Sequence, residues 1–380
     1  MLQLPPLSLY IHIPWCIEKC PYCDFNSHKL RGEIPEQAYL QALVNDLKTD
    51  LVYVQGRILD TIFIGGGTPS LISAKGIGWL LEEVEKLIAF KKDIEITLEA
   101  NPGAIENSKI AAFKKVGISR FSFGVQSFQQ EKLTRLGRIH GVEEAKSAAL
   151  QAQQSGVSTF NLDLMHGLPD QSLEDALFDL QTAIDLQPTH LSWYQLTIEP
   201  NTQYFSHPPK LPEDELLWDI QEAGQKLLAE NGYQQYEISG YTQAGFECQH
   251  NINYWSFSDY LGIGCGAHGK LTLPLENKII RTTKIKHPKG YLDDNRPFLD
   301  DSHTVAKDDL AFEYMMNRMR LFAPIPFSEF EQYTGLSIDS IALPIQQAID
   351  KKLLIEKSDH WLMTELGHRF LNELLQLFIE

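Results

Sequence analysis

Six short apolar runs, each followed by an amphipathic stretch, occupy roughly the first 230 residues of this chain. Residues 7–13, 60–64, 94–100, 120–125, 159–165 and 190–196 read as strands. Helical spacing fills the intervals at residues 35–53, 77–90, 108–116, 143–155 and 172–186, and returns at 213–231. In the first of these helices Tyr39, Leu40, Leu43, Leu47 and Leu51 share one side. Strands alternating with helices imply an α/β fold, a parallel sheet with helices outside. The span is close to that of a (β/α) barrel. Six units in place of eight make it a partial (β/α)6 barrel, although an open doubly wound sheet satisfies the same periodicity.

Beyond about residue 240 the pattern changes. Residues 241–269 are rich in Gly, Cys, His and aromatics with weak periodicity, and 271–301 read as loop with scattered prolines. Helical patterns return at 310–321, 327–333 and 341–351, then a hairpin at 353–363 and a last helix at 366–378. Helix–helix–hairpin describes a small winged-helix-like module. The expected regions are therefore a barrel over 1–240, a connecting region over 241–304 and a C-terminal helical module over 305–380.

The 380 residues are 43% hydrophobic, enough for a sizeable core. A net charge of −17 argues against nucleic acid as a partner, since a phosphate-backbone binder needs a basic surface. The apolar run at 7–13 is too short for a signal peptide and lacks a basic leader. No stretch of about 18 apolar residues is present. The expected location is cytoplasmic, with room for peripheral contact at the cytoplasmic membrane.

Five cysteines make no disulfide scaffold, and three of them, Cys16, Cys20 and Cys23, crowd together as C-x3-C-x2-C directly after the first strand. Three thiolates hold three irons of a [4Fe–4S] cluster, whereas full protein ligation takes four cysteines. The fourth iron is left open to a small molecule. A zinc knuckle is the competing reading, but it wants four ligands, and the fourth would be His28 or a distant residue.

Polar residues recur at the strand ends, where parallel α/β folds bind ligands. Gly65-Gly66-Gly67-Thr68-Pro69 follows the second strand, and its glycines let backbone approach a ligand closely. Glu99 ends the third strand, Gln126 the fourth, and Asp163 lies between Leu162 and Leu164 in the fifth. Arg138 is placed to pair with Asp163 or with a ligand carboxylate. Each alone reads as an ordinary salt bridge or cap; their shared placement points to one ligand.

On these residues the chain resembles the radical SAM superfamily, in the branch around oxygen-independent coproporphyrinogen III dehydrogenase and the heme chaperones similar to it. The resemblance spans most of the chain. It implies that Cys16, Cys20 and Cys23 ligate the cluster. It further implies that S-adenosylmethionine (SAM) meets Tyr10, Gly66, Gly67, Thr68, Glu99, Gln126, Arg138 and Asp163. The dehydrogenase carries a further cysteine two positions after the third, where this chain has Phe25, and an N-terminal extension for which a triad beginning at residue 16 leaves no room.

His250-Asn251-Ile252-Asn253-Tyr254-Trp255 looks like the H-N-x-x-Y-W motif of the heme chaperones. Imidazole is a common axial ligand of heme iron, which makes His250 the expected heme ligand, with Cys248 as competitor. Cys265 and His268, in a glycine-rich stretch, are second choices. The resemblance implies delivery of heme to respiratory membrane proteins and leaves room for a homodimer. Oxidative decarboxylation of coproporphyrinogen III is the alternative, and whether SAM is cleaved stays open.

Overall fold

The computed structural model describes residues 2–104 and 107–379. The six runs form strands β1 (Leu7–Ile13), β2 (Leu59–Gly66), β3 (Phe90–Ala100), β4 (Arg120–Gln126), β5 (Thr159–His166) and β6 (His190–Gln195). They pair in parallel in the order of the sequence. A doubly wound sheet reverses its order at a switch point; these six strands do not, so the barrel-type course is the one adopted.

Alternation along each strand sorts the two faces. Ile62, Ile64, Leu98, Phe121 and Phe123 are fully buried in one core with the helices. Helix Ala74–Leu87 contributes Ile77, Leu80, Leu81 and Val84, the i, i+3, i+4, i+7 stripe of an amphipathic helix. Its start is fixed by Ser73, whose side chain accepts from the Gly76 N–H. The opposite face of the sheet carries Thr61, Glu95, Glu99, Ser122, Asp163 and Ser192.

The sheet continues beyond these strands. Strands β7 (Gln234–Glu237) and β8 (Gly240–Thr242) extend it antiparallel past β6. On the other side β9 (Asp259–Ile263) lies parallel to β1 and leads into β10 (His268–Leu273), β11 (Lys278–Lys284) and β12 (Leu299–Thr304). The loop expected over 271–301 is thus corrected to strand for much of its length. Its strands escaped recognition because they are polar. Lys270 and Lys284 are buried only through ion pairs, with Asp259 at 3.1 Å and with Asp46 and Asp50 at 2.6 and 2.8 Å. Strand β12 is exposed throughout, and its charges suit a sheet edge. The full order is β12-β11-β10-β9-β1-β2-β3-β4-β5-β6-β8-β7, and its two edges do not pair, so the barrel stays open.

Helix Gln249–Trp255 packs on the same face of the sheet as Glu99. His250 reaches Thr61 on β2, Asn253 reaches Ser8 on β1, and the Cys248 thiol reaches Glu95 on β3. The helix therefore plugs the interior of the partial barrel.

Residues 310–376 form the C-terminal helical domain. Helices Leu310–Arg318, Phe327–Thr334 and Ala342–Asp350 pack with a three-stranded sheet of Ile325–Pro326, His360–Met363 and Leu354–Glu356. This domain has its own core around Tyr314, Phe330, Trp361 and Leu374, joined by Leu2, Phe257 and Ile279. A bridge between Glu237 and Leu321 ties it to β7, as does the Phe322 N–H donating to the Tyr236 carbonyl at 2.9 Å. No helix among the described residues is long and apolar enough to cross a membrane.

Candidate functional site

A cavity of about 560 Å³ opens at the carboxyl ends of the barrel strands. Cys16, Cys20 and Cys23 line it, together with Gly66, Gly67 and Thr68 from the end of β2. So do Glu99, Gln126, Arg138 and Asp163. The residues singled out in sequence thus converge, with two exceptions. Tyr10 does not line the cavity; its hydroxyl bonds His12 Nδ1 at 3.0 Å and its ring lies against Phe63, behind Glu99. His250 lies deeper, inside the barrel plug.

The three thiols are half-buried and unbridged. Among the described residues no three His, Cys, Asp or Glu side chains converge on a point that would hold one metal ion. A cuboidal cluster asks less convergence of its cysteines, since each binds a different iron. The Arg138 guanidinium lies 3.6 Å from Cys20 Sγ, a cation suited to offset thiolate charge.

The glycine run serves the protein before it serves a ligand. Gly66 has φ +114°, and a Cβ there would lie 2.6 Å from the His12 ring; one on Gly67 would lie 2.6 Å from the Trp15 carbonyl oxygen. The Gly67 and Thr68 N–H groups donate to Ile13 and Trp15 at 2.7 and 2.8 Å, sewing the run onto the cysteine loop. Gly262 is forced the same way, since a Cβ would lie 1.8 Å from the His268 carbonyl oxygen. Close approach to a ligand is the expectation from sequence; the approaches seen here are of chain to chain.

Glu99 and Asp163 face the cavity without an ion-pair partner among the described residues. Glu99 accepts the Gly66 N–H at 3.0 Å; burial, and then the nearby Asp163, push its carboxyl up to about 8. Asp163 accepts from Asn161 at 2.6 Å and Ser122 at 3.2 Å, and burial also raises it. Such a pair favours a cationic ligand, which would restore both to the charged form. SAM carries an α-amino group and a sulfonium, so the donor set fits it.

Gln126 lies at a bulge in β4 with φ +73°. A non-glycine residue held there carries backbone strain, of the sort that collects at binding sites. Its side-chain oxygen accepts the Tyr194 hydroxyl.

His250 is 7% exposed and neutral, burial pushing its imidazole down to about 3. Its Nδ1 lies 2.8 Å from Thr61 Oγ1 and its ring 5.1 Å from Phe63. From the same helix Asn251 and Trp255 do line the cavity. Cys248 is buried with its thiol pushed up to about 12, chiefly by burial. The Cys265 thiol donates to the Lys286 carbonyl at 2.8 Å, while His268 is exposed beside Thr283.

Sequence reasoning missed Ser192 and Tyr194 on β6, and Glu237 and Arg320, all on the cavity wall. Alternation of His190, Ser192 and Tyr194 marks the inner face of β6 and was available as a signal. Nothing local marks Arg320, which the C-terminal domain delivers.

The fold and this cavity define a radical SAM protein. The model of the radical SAM superfamily matches residues 10–180, and that of the HemN C-terminal domain matches 305–370. The chain is 56% identical to the heme chaperone HemW of Escherichia coli (strain K12) over all of both chains. It is 57% identical to HemW of Haemophilus influenzae (strain ATCC 51907 / DSM 11121 / KW20 / Rd), over all of this chain and 99% of that one. It belongs to the HemW family. The solved structure of coproporphyrinogen III oxidase (HemN) from Escherichia coli has the same fold, with a TM-score of 0.83 at 24% identity, covering 99% of this chain and 90% of that one.

Proposed function

We propose that this chain is a heme chaperone that carries a [4Fe–4S] cluster and SAM and hands heme to respiratory membrane proteins at the cytoplasmic face. The observation that carries the reading is the convergence of Cys16, Cys20 and Cys23 with Glu99, Gln126, Arg138 and Asp163 in one cavity, in a chain related over its full length to HemW.

Cys16, Cys20 and Cys23 hold the cluster, and Arg138 offsets its charge. Glu99 and Asp163 would take the cationic groups of SAM; Gly66, Gly67, Thr68 and Gln126 would contact it, and Tyr10 would back Glu99. A bound cluster would supply one-electron reductive chemistry toward SAM. His250 is already neutral, the form in which imidazole ligates iron. His250 does not line the cavity, so iron ligation by it would need helix Gln249–Trp255 to move.

The test is anaerobic cluster reconstitution, then heme titration and coproporphyrinogen III turnover in parallel. A Soret shift on heme addition, weakened in His250→Ala, with no protoporphyrinogen IX formed, is the expected result. Absence of any Soret change in cluster-loaded protein would discard the chaperone reading; product formation would move it to the dehydrogenase.

A further inference from the structure

Arg320 stands out among the arginines of the C-terminal domain. Arg318 is tied to Glu329 at 2.7 Å, and Arg369 lies on Trp218 with Glu222 at 3.3 Å. Arg320 has no such partner. Its Nε is buried without an acceptor, and no hydrogen bond or ion pair from its guanidinium is formed among the described residues. Its guanidinium carbon lies 4.3 Å from the centre of the Trp255 ring. The nearest acid, Glu237, is buried, with its carboxyl raised by burial and turned to the Ser239 and Ile238 N–H groups. Arg320 is half-buried, and a partly desolvated cation with no acceptor on its guanidinium is costly unless something else supplies one.

That acceptor has a route in, because Arg320 lines the same cavity as the three cysteines and Asp163. Asn251 and Trp255 line it too, giving an amide and an aromatic surface near the cation. The other arginine of the cavity, Arg138, already donates to the Gly124 carbonyl and approaches Cys20.

We propose that Arg320, with Asn251 and Trp255, is a carboxylate-binding subsite that the C-terminal domain contributes to the barrel cavity. A guanidinium with its fork free suits a carboxylate bidentately. Resting on the heme-chaperone reading, the carboxylate is a propionate of heme; the carboxylate of SAM has the same chemistry. The subsite also gives the C-terminal domain a role in binding, since its Leu321 bridges Glu237 immediately beside Arg320.

The test uses full-length, cluster-loaded protein and the variants Arg320→Gln and Arg320→Lys, titrated with hemin, with hemin dimethyl ester, and with SAM. The expected result is about a tenfold loss of hemin affinity in Arg320→Gln, as for loss of a charge-assisted hydrogen bond. Arg320→Lys recovers part of it, and the dimethyl ester binds wild type and both variants alike. If SAM affinity falls while hemin affinity holds, the subsite stands and its carboxylate is that of SAM. If neither ligand weakens in Arg320→Gln and its thermal midpoint matches wild type, the subsite is refuted. Should wild type bind no hemin at all, the chaperone reading fails, and the SAM arm alone decides Arg320. A drop in thermal midpoint in Arg320→Gln that Arg320→Lys fully restores, with equal loss for hemin and its ester, marks Arg320 as a packing residue and overturns the subsite.

Discussion

The Tyr194 hydroxyl donates to the Gln126 side-chain oxygen at 2.9 Å, joining the end of β6 to the bulged end of β4 across the cavity. Gln126 keeps its positive φ within this clamp. Tyr194→Phe removes one hydrogen bond of about 1 kcal/mol and leaves the ring in place. We expect SAM affinity to fall about fivefold, with cluster content unchanged. Equilibrium dialysis of SAM against reconstituted protein checks this; unchanged affinity would show that Gln126 needs no clamp.

Glu99 makes the ligand-free protein less stable as pH rises. Its carboxyl is raised to about 8 by burial first and Asp163 second, with the Gly66 N–H acting the other way. Between the unfolded value near 4.5 and about 8, the folded chain holds a proton that the unfolded chain has lost. Stability from this group is therefore full at the acid end of that window and declines through it. Glu99→Gln abolishes the decline, so its advantage over wild type in urea midpoint grows from pH 5.5 to pH 8. SAM binding near pH 7 should also release a proton, read calorimetrically in buffers of different ionisation enthalpy. Equal heats in all buffers would contradict it.

Histidines work in the opposite sense. Burial is the leading cause that pushes His12, His140 and His166 down to about 4 and His250 to about 3. From their ordinary value of 6.5 down to about 4 the unfolded chain binds protons that the folded one refuses. Their stability is present above pH 6.5 and lost as pH falls. Glu99 and Asp179, both raised, offset part of this. The net expectation is a loss of several kcal/mol on acidification from pH 7 to pH 4.5. Urea midpoints at the two pH values measure it; a higher midpoint at pH 4.5 would be inconsistent.

Gly66→Ala places a methyl group against the His12 ring at a φ that side chains avoid. A cost of about 2 kcal/mol or more is expected. The cysteine loop, which hangs from this segment through Gly67 and Thr68, should reconstitute less cluster. Full iron and sulfide content at wild-type stability would speak against the packing role of this glycine.

Local signals carried much of the site. The cysteine spacing, the glycine run and the polar strand ends each lie within a few residues of a strand terminus, and a parallel barrel gathers all such termini at one end. Long-range partners were invisible. Lys284 reads as surface until Asp46 and Asp50 are brought to it from the first helix. His250 reads as accessible until Thr61 and Phe63 enclose it. Arg320 follows a helix with no motif around it, and only the docking of the C-terminal domain puts it in the cavity.

Strand β1 pairs Leu9 with Ile62 on one side and with Leu261 on the other. The cysteine loop that follows β1 thus hangs from a strand whose second neighbour is made very late. During synthesis the thiols leave the ribosome well before Leu261 and Arg320 do. A protected cavity around these thiols is therefore complete only after Arg320 has been made. Until then the nascent chain exposes its three thiols, a vulnerability to oxidation that belongs to the topology and not to any single residue.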